Sequence, residues 1–244
     1  MSDAEERPAF YALSPGGWRD YWTLVHPPYT LWHVSYVAIG AATATVIRPR
    51  WLFETLLAFL LALGLSAHAL DELRGRPLRT RIPDRVLWAI AVVGVVGAVA
   101  LGVDGMIQVS PWIGAFIIVG AFLVFAYNLE LFGGAFHSDL WFALGWGAFP
   151  ALTGAFAQTA RVSAASVLVA LACASSSWAQ RALSTPVRRL RRSVRRVSGE
   201  MELEDGRRES VDAGSLRAAP EAALRAFSVA MPVLATGLVL GRWP

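Results

Sequence analysis

The chain has 244 residues, of which 55% are hydrophobic and only 16% charged, with a mean hydropathy of +0.48. Soluble domains carry about a quarter charged residues, so this composition argues against an ordinary soluble fold and for a polytopic membrane protein. The formal charge is +4, all 22 basic residues are arginine, and the lone Cys173 excludes an intrachain disulfide.

In chain order, residues 1–8 are polar and acidic, without the basic region and apolar core of a secretory signal. Residues 18–29 hold Trp18, Tyr21 and Trp22 ahead of Pro27 and Pro28. This predicts a short interfacial helix that the prolines end. Seven apolar stretches follow, at residues 29–47, 51–70, 86–103, 112–131, 140–157, 164–183 and 222–241. Each is near the ~20 residues that cross a bilayer. Arg225 and Pro232 interrupt the last. The expected organisation is an N-terminal cytoplasmic and interfacial segment at 1–28 and a six-helix core at 29–183. A basic helix and polar loop at 184–221 and a final spanning helix at 222–244 complete it. The fold class is all-α, a transmembrane bundle of about seven spans.

Arginine placement gives the orientation. Five arginines lie between residues 71 and 85 and nine between 184 and 221, while the opposite connections carry few. The positive-inside rule then places the N-terminus and both basic loops in the cytoplasm of an inner (plasma) membrane protein. In the second basic loop, Pro186 reads as the first position of a new helix capped by Ser184 or Thr185. Val187, Leu190, Val194 and Val197 repeat on one face with arginines opposite. That pattern fits a helix lying on anionic lipid head groups, and not nucleic acid. Residues 199–214 read as a polar, flexible tether.

Ionisable groups at the edge of a span are costly and are the first place to look for chemistry. His68, Asp71 and Glu72 share one helix face at the end of the second stretch. Asp71 and Glu72 have the oxygen chemistry for Mg²⁺, and Arg74 and Arg76 the fork geometry for phosphate. At the end of the fourth stretch, Tyr127 and Asn128 precede Gly133-Gly134, which breaks the helix, and Asp139, a candidate cap or third metal ligand. His26 and His33 read as interfacial or packing residues.

These motifs resemble the UbiA superfamily of intramembrane prenyltransferases. Ala67-His68-Ala-Leu-Asp71 followed by Arg76-Pro77 is similar to the family's acidic motif at the end of helix two. His26-Pro-Pro-Tyr-Thr-Leu31 is similar to its entry to helix one. Tyr127, Gly133-Gly134 and Asp139 are similar to its helix four-to-five connection. The family's second acidic motif, after helix six, has no counterpart, since residues 175–181 hold no acid. The resemblance implies a Mg²⁺-dependent transfer of a prenyl group from an isoprenoid diphosphate to a lipophilic acceptor. Asp71 and Tyr127 would be catalytic. His68, Arg74, Arg76 and Asn128 would bind substrate, and Asp71, Glu72 and Asp139 would hold metal. The alternative is a non-catalytic protein that binds polyprenyl lipid or scaffolds a partner.

Overall fold

The computed structural model describes residues 7–244. Most of the acidic leader at residues 1–8, and so the start of the N-terminal segment, lies outside the described residues. Helix α1 (Trp18–Val25) ends one residue before the prolines. His26 turns the chain in a left-handed conformation, φ 50°, and Pro27 opens α2 (Pro27–Ala41). Proline suits that first position, where the missing N–H would have no helical partner.

Next comes a continuous rod made of α3 (Pro49–Phe59), a π-helical stretch Leu60–Ala67, and α4 (His68–Leu73). Then follow α5 (Asp84–Gln108), α6 (Ile113–Asn128) and the single turn α7 (Leu131–Gly134). A second composite rod joins α8 (Asp139–Ala143), a π-helical stretch Leu144–Ala148 and α9 (Phe149–Thr159). The chain finishes with α10 (Ala164–Arg192), strands β1 (Gly199–Glu202) and β2 (Arg208–Val211), and α11 (Ala213–Leu240).

Helix occupies most of every apolar stretch selected from the sequence. Among the described residues, four helical rods are long and apolar enough to cross a membrane: Pro49–Leu73, Asp84–Gln108, Asp139–Thr159 and Ala213–Leu240. At 1.5 Å per residue even the shortest matches the ~30 Å hydrocarbon layer. Valines 92, 93 and 96 on α5 point outward, as lipid contact requires. The chain is therefore read as an integral membrane protein.

The centre of the bundle is α2, packed between α9 and α11. Two glycines make this possible. A Cβ on Gly40 would overlap the carbonyl of Ala151, and one on Gly154 would overlap that of Val37. Backbones that approach this closely gain dispersion contacts and exclude lipid. Trp32 donates from Nε1 to the Tyr36 hydroxyl at 2.6 Å, and both side chains are fully buried.

Two expectations are corrected. Residues 184–192 do not start a new helix; they continue α10, with Pro186 inside it. The Thr185 and Ser184 hydroxyls turn back onto the Arg181 carbonyl, at 2.8 and 3.4 Å. These are the ordinary back-bonds of helical Ser and Thr, one residue before the Ala182 carbonyl that Pro186 leaves without a helical donor. Residues 199–214 are not a featureless tether either. β1 and β2 pair antiparallel, Gly199 opposite Val211, around an Asp205-Gly206 turn. Gly206 takes φ 83°, which glycine adopts without strain. The hairpin leads into Asp212, which caps α11 reciprocally with Ser215.

Candidate functional site

A cavity of about 270 Å³ opens at one end of the bundle, where the start of α2, the ends of α4 and α6, and the last three turns of α10 converge. Asp71 is the one carboxylate in its wall. It makes no hydrogen bond or ion pair among the described residues, and the positive fields of Arg192 and Arg188 fall on it. Arg181, Arg188 and Arg192 all line the cavity. Their spacing of seven and then four residues puts them on one face of α10. Arg188 donates to Thr185 Oγ1 at 3.2 Å and has no carboxylate partner among the described residues.

All four histidines of the chain also line this cavity. His26 and His68 stack, with centroids 4.2 Å apart and planes within 11°. His68 Nδ1 lies 3.2 Å from the Gly64 carbonyl. His33 Nε2 meets Gln180 Oε1 at 2.7 Å, deep in the bundle. His137 Nδ1 sits 3.0 Å from the Tyr127 carbonyl, and its ring stacks on Tyr127 at 4.5 Å. Two buried polar atoms in this wall, Tyr127 Oη and His26 Nε2, have no hydrogen-bond partner. Such orphans are rare and call for a ligand or water.

The N-terminal segment closes the mouth as a strap. Pro8, Ala9, Phe10 and Tyr11 contribute to the cavity wall. Arg191 and Arg192 donate to the carbonyls of Arg7 and Pro8, at 3.2 and 3.3 Å. The Arg225 guanidinium lies 5.0 Å over the Phe10 ring. Tyr11 meets His26 Nδ1 at 2.8 Å. Burial pushes the Tyr11 phenol well above its ordinary range, with a smaller push from Tyr29. Desolvation pulls the His26 imidazole well below its own, helped by His68, Arg192 and Arg188. The phenol is therefore the donor and the neutral imidazole the acceptor.

Of the residues selected from the sequence, His68, Asp71, Tyr127 and Asn128 come together in this cavity. Asn128 anchors itself by donating from Nδ2 to the Val124 carbonyl at 2.7 Å. The other four are elsewhere. Glu72 is fully buried and turned into its own loop. Its carboxylate accepts from Leu78 N–H and Thr80 N–H, both at 2.9 Å, and from the Thr80 hydroxyl at 2.8 Å. Those three bonds hold it in its own loop, and it is not in the cavity wall. Arg74 pairs with Glu130 at 2.8 Å, holding that carboxyl below the usual range, and Arg76 pairs with Asp84 while donating to the Ile82 carbonyl at 2.6 Å. Neither lines the cavity.

Asp139 is outside the cavity wall as well, bound to Arg181 Nε at 2.8 Å. It does not cap α8; Ser138 does, accepting from Trp141 N–H. No cluster of three or more potential metal ligands exists among the described residues. The donor set of one carboxylate among guanidinium groups fits Mg²⁺ only where phosphate oxygens supply most of the coordination.

The residues that sequence reasoning missed are the arginines of α10 and the strap. The signal for the arginines was present: positions 181, 188 and 192 share a face if the helix runs on through Pro186. A second cavity, smaller and apolar at about 130 Å³, lies between the two composite rods, α5 and α6. Trp146 belongs to the walls of both cavities. Comparison with protein-family models, with curated proteins and with solved structures found no match to this chain.

Proposed function

We propose that this is a UbiA-like membrane protein that binds an isoprenoid diphosphate at the cytoplasmic edge of the inner membrane and transfers its prenyl group to a lipophilic acceptor. The observation that carries this reading is the unpaired Asp71 facing Arg181, Arg188 and Arg192 in a cavity that abuts an apolar one. Guanidinium forks match diphosphate oxygens and stay charged in a desolvated setting. They oppose the negative charge that grows on the leaving group as the C1–O bond breaks. The electron pair departs with the diphosphate, and the acceptor forms the new bond to C1. The faces of Tyr127 and Phe142 shield and stabilise the cationic carbon. The acceptor's proton leaves with the departing diphosphate, since His26 accepts from Tyr11 at Nδ1 and so carries its own ring proton at Nε2. Mg²⁺ bound to the diphosphate and to Asp71 would add leaving-group charge neutralisation. In this reading the chain has seven spans, the basic loops are cytoplasmic, and the arginine-rich end of α10 rests against anionic lipid.

A second reading is a non-catalytic prenyl-lipid-binding protein. It is favoured by the engagement of Glu72 with its own loop and of Asp139 with Arg181, which leaves one carboxylate where the family resemblance implies more.

Purified protein incubated with labelled prenyl diphosphates and lipid extract, with and without Mg²⁺, separates the two. Diphosphate release that is lost in Asp71→Ala supports transfer. Tight binding without release at any chain length refutes transfer and supports the second reading. Absence of both binding and release refutes both.

A further inference from the structure

Trp146 is 4% exposed and sits on the π-helical stretch Leu144–Ala148. A π turn inserts an extra residue into a helix and re-aims its neighbours, and such turns concentrate at functional sites. Here it directs the indole into the partition between the two cavities. The ring lies 4.4 Å from Tyr127 and stacks on Phe142 at 5.7 Å, planes within 10°. The backbone beside it cannot retreat. A Cβ on Gly147 would come within 2.6 Å of the Cys173 carbonyl, so this turn is pressed onto α10. On the far side are the side chains of Phe59, Leu63, Ile117, Val124 and Phe149, the last packed over Gly120.

An amphiphile whose phosphorylated head occupies the arginine cavity therefore meets the indole where its tail must run. Resting on the head-group reading above, we propose that Trp146 sets the length of the apolar chain this protein accepts. With the indole in place the head-group cavity ends at Tyr127, Phe142 and Trp146. Without it, the two cavities become one channel continuing between α5 and α6.

The test compares wild type, Trp146→Ala and Trp146→Phe in detergent for binding of inorganic diphosphate and of linear prenyl diphosphates with two, four and six isoprene units. Trp146→Ala is expected to raise affinity for the six-unit chain relative to the two-unit chain by at least about tenfold, less than burial of one isoprene unit allows. Inorganic diphosphate should bind unchanged. Trp146→Phe, which keeps a packed ring, should shift the same way by less and covers the case in which the alanine variant does not fold. Adding Ala98→Leu, at another position in the wall of the far cavity, should reverse the gain.

An unshifted length profile with intact inorganic diphosphate binding overturns the Trp146 assignment and leaves the head-group reading standing. A parallel loss at all lengths, inorganic diphosphate included, also overturns it. Wild type that binds none of these probes removes the head-group reading, and this assignment with it.

Discussion

Glu72 offers the sharpest test of how the site is built. Substitution by alanine leaves three donors, the amides of Leu78 and Thr80 and the Thr80 hydroxyl, with no acceptor in a loop where both residues are buried. Each unsatisfied buried donor costs roughly 1–3 kcal/mol, and bonds to a charged acceptor lie at the upper end. Allowing for partial hydration as the loop relaxes, Glu72→Ala should destabilise by about 3–6 kcal/mol, much of the ~5–15 kcal/mol typical of a domain. Glu72→Gln keeps one acceptor oxygen for Thr80 and turns an amide against the Leu78 N–H, so about 2 kcal/mol is expected. Equilibrium unfolding in mixed micelles measures both. Thr80→Val should cost about 1 kcal/mol alone and almost nothing in the Glu72→Ala background, since the partner is already gone. A loss below about 1 kcal/mol in Glu72→Ala would refute the loop-closing role. So would a Glu72→Gln protein of normal stability that no longer binds diphosphate, because Glu72 would then be a ligand group.

Arg188→Gln should weaken inorganic diphosphate binding at least about tenfold, as loss of a charge-assisted contact does, while Arg74→Gln, paired outside the cavity, should leave it unchanged; isothermal titration reads both. His26, held neutral, contributes stability that is full above its ordinary value of 6.5 and is lost as pH falls, because the unfolded chain then binds a proton that the folded one does not. Thermal melts at descending pH should show that slope, and His26→Gln should lessen it. Tyr11→Phe removes the strap's bond to His26 and should speed diphosphate association without changing the overall fold, as stopped-flow measurement would show. In a Cys173→Ser background, cysteine introduced at position 242 should react with impermeant reagent only from outside the cell, and labelling from the cytoplasm would contradict the seven-span orientation.

The apolar stretches were legible because spanning helices announce themselves by length and composition alone. Asp71, His68, Tyr127 and Asn128 were legible because ionisable or polar residues at span ends have few reasons to be there. Glu72 was grouped with Asp71 because each stands about one turn from His68, but the two are about 100° apart around the helix and only Asp71 is in the cavity wall. Which of two adjacent acids turns toward a loop depends on where residues 78 and 80 fold back, and helical spacing says nothing about that. Pro186 hid the α10 arginines, since a proline after Ser-Thr is a fair signal for a helix start. The helix nevertheless runs on through it to Arg192. The Asp205-Gly206 pair was a hairpin signal obscured by the charge around it.

The strap has a practical side. Arg191 and Arg192 grip main-chain carbonyls, so that clasp is indifferent to which side chains stand at positions 7 and 8. The contacts particular to their residues are the Tyr11 hydroxyl on His26 and the Phe10 ring under Arg225. Whatever is fused on the amino-terminal side is consequently tethered at the cavity entrance. The other terminus leaves from the far end of the bundle, where the Ile47 amide donates to the Arg242 carbonyl at 2.9 Å. An affinity tag placed after Pro244 keeps clear of the arginines, and ligand measurements belong on protein purified that way.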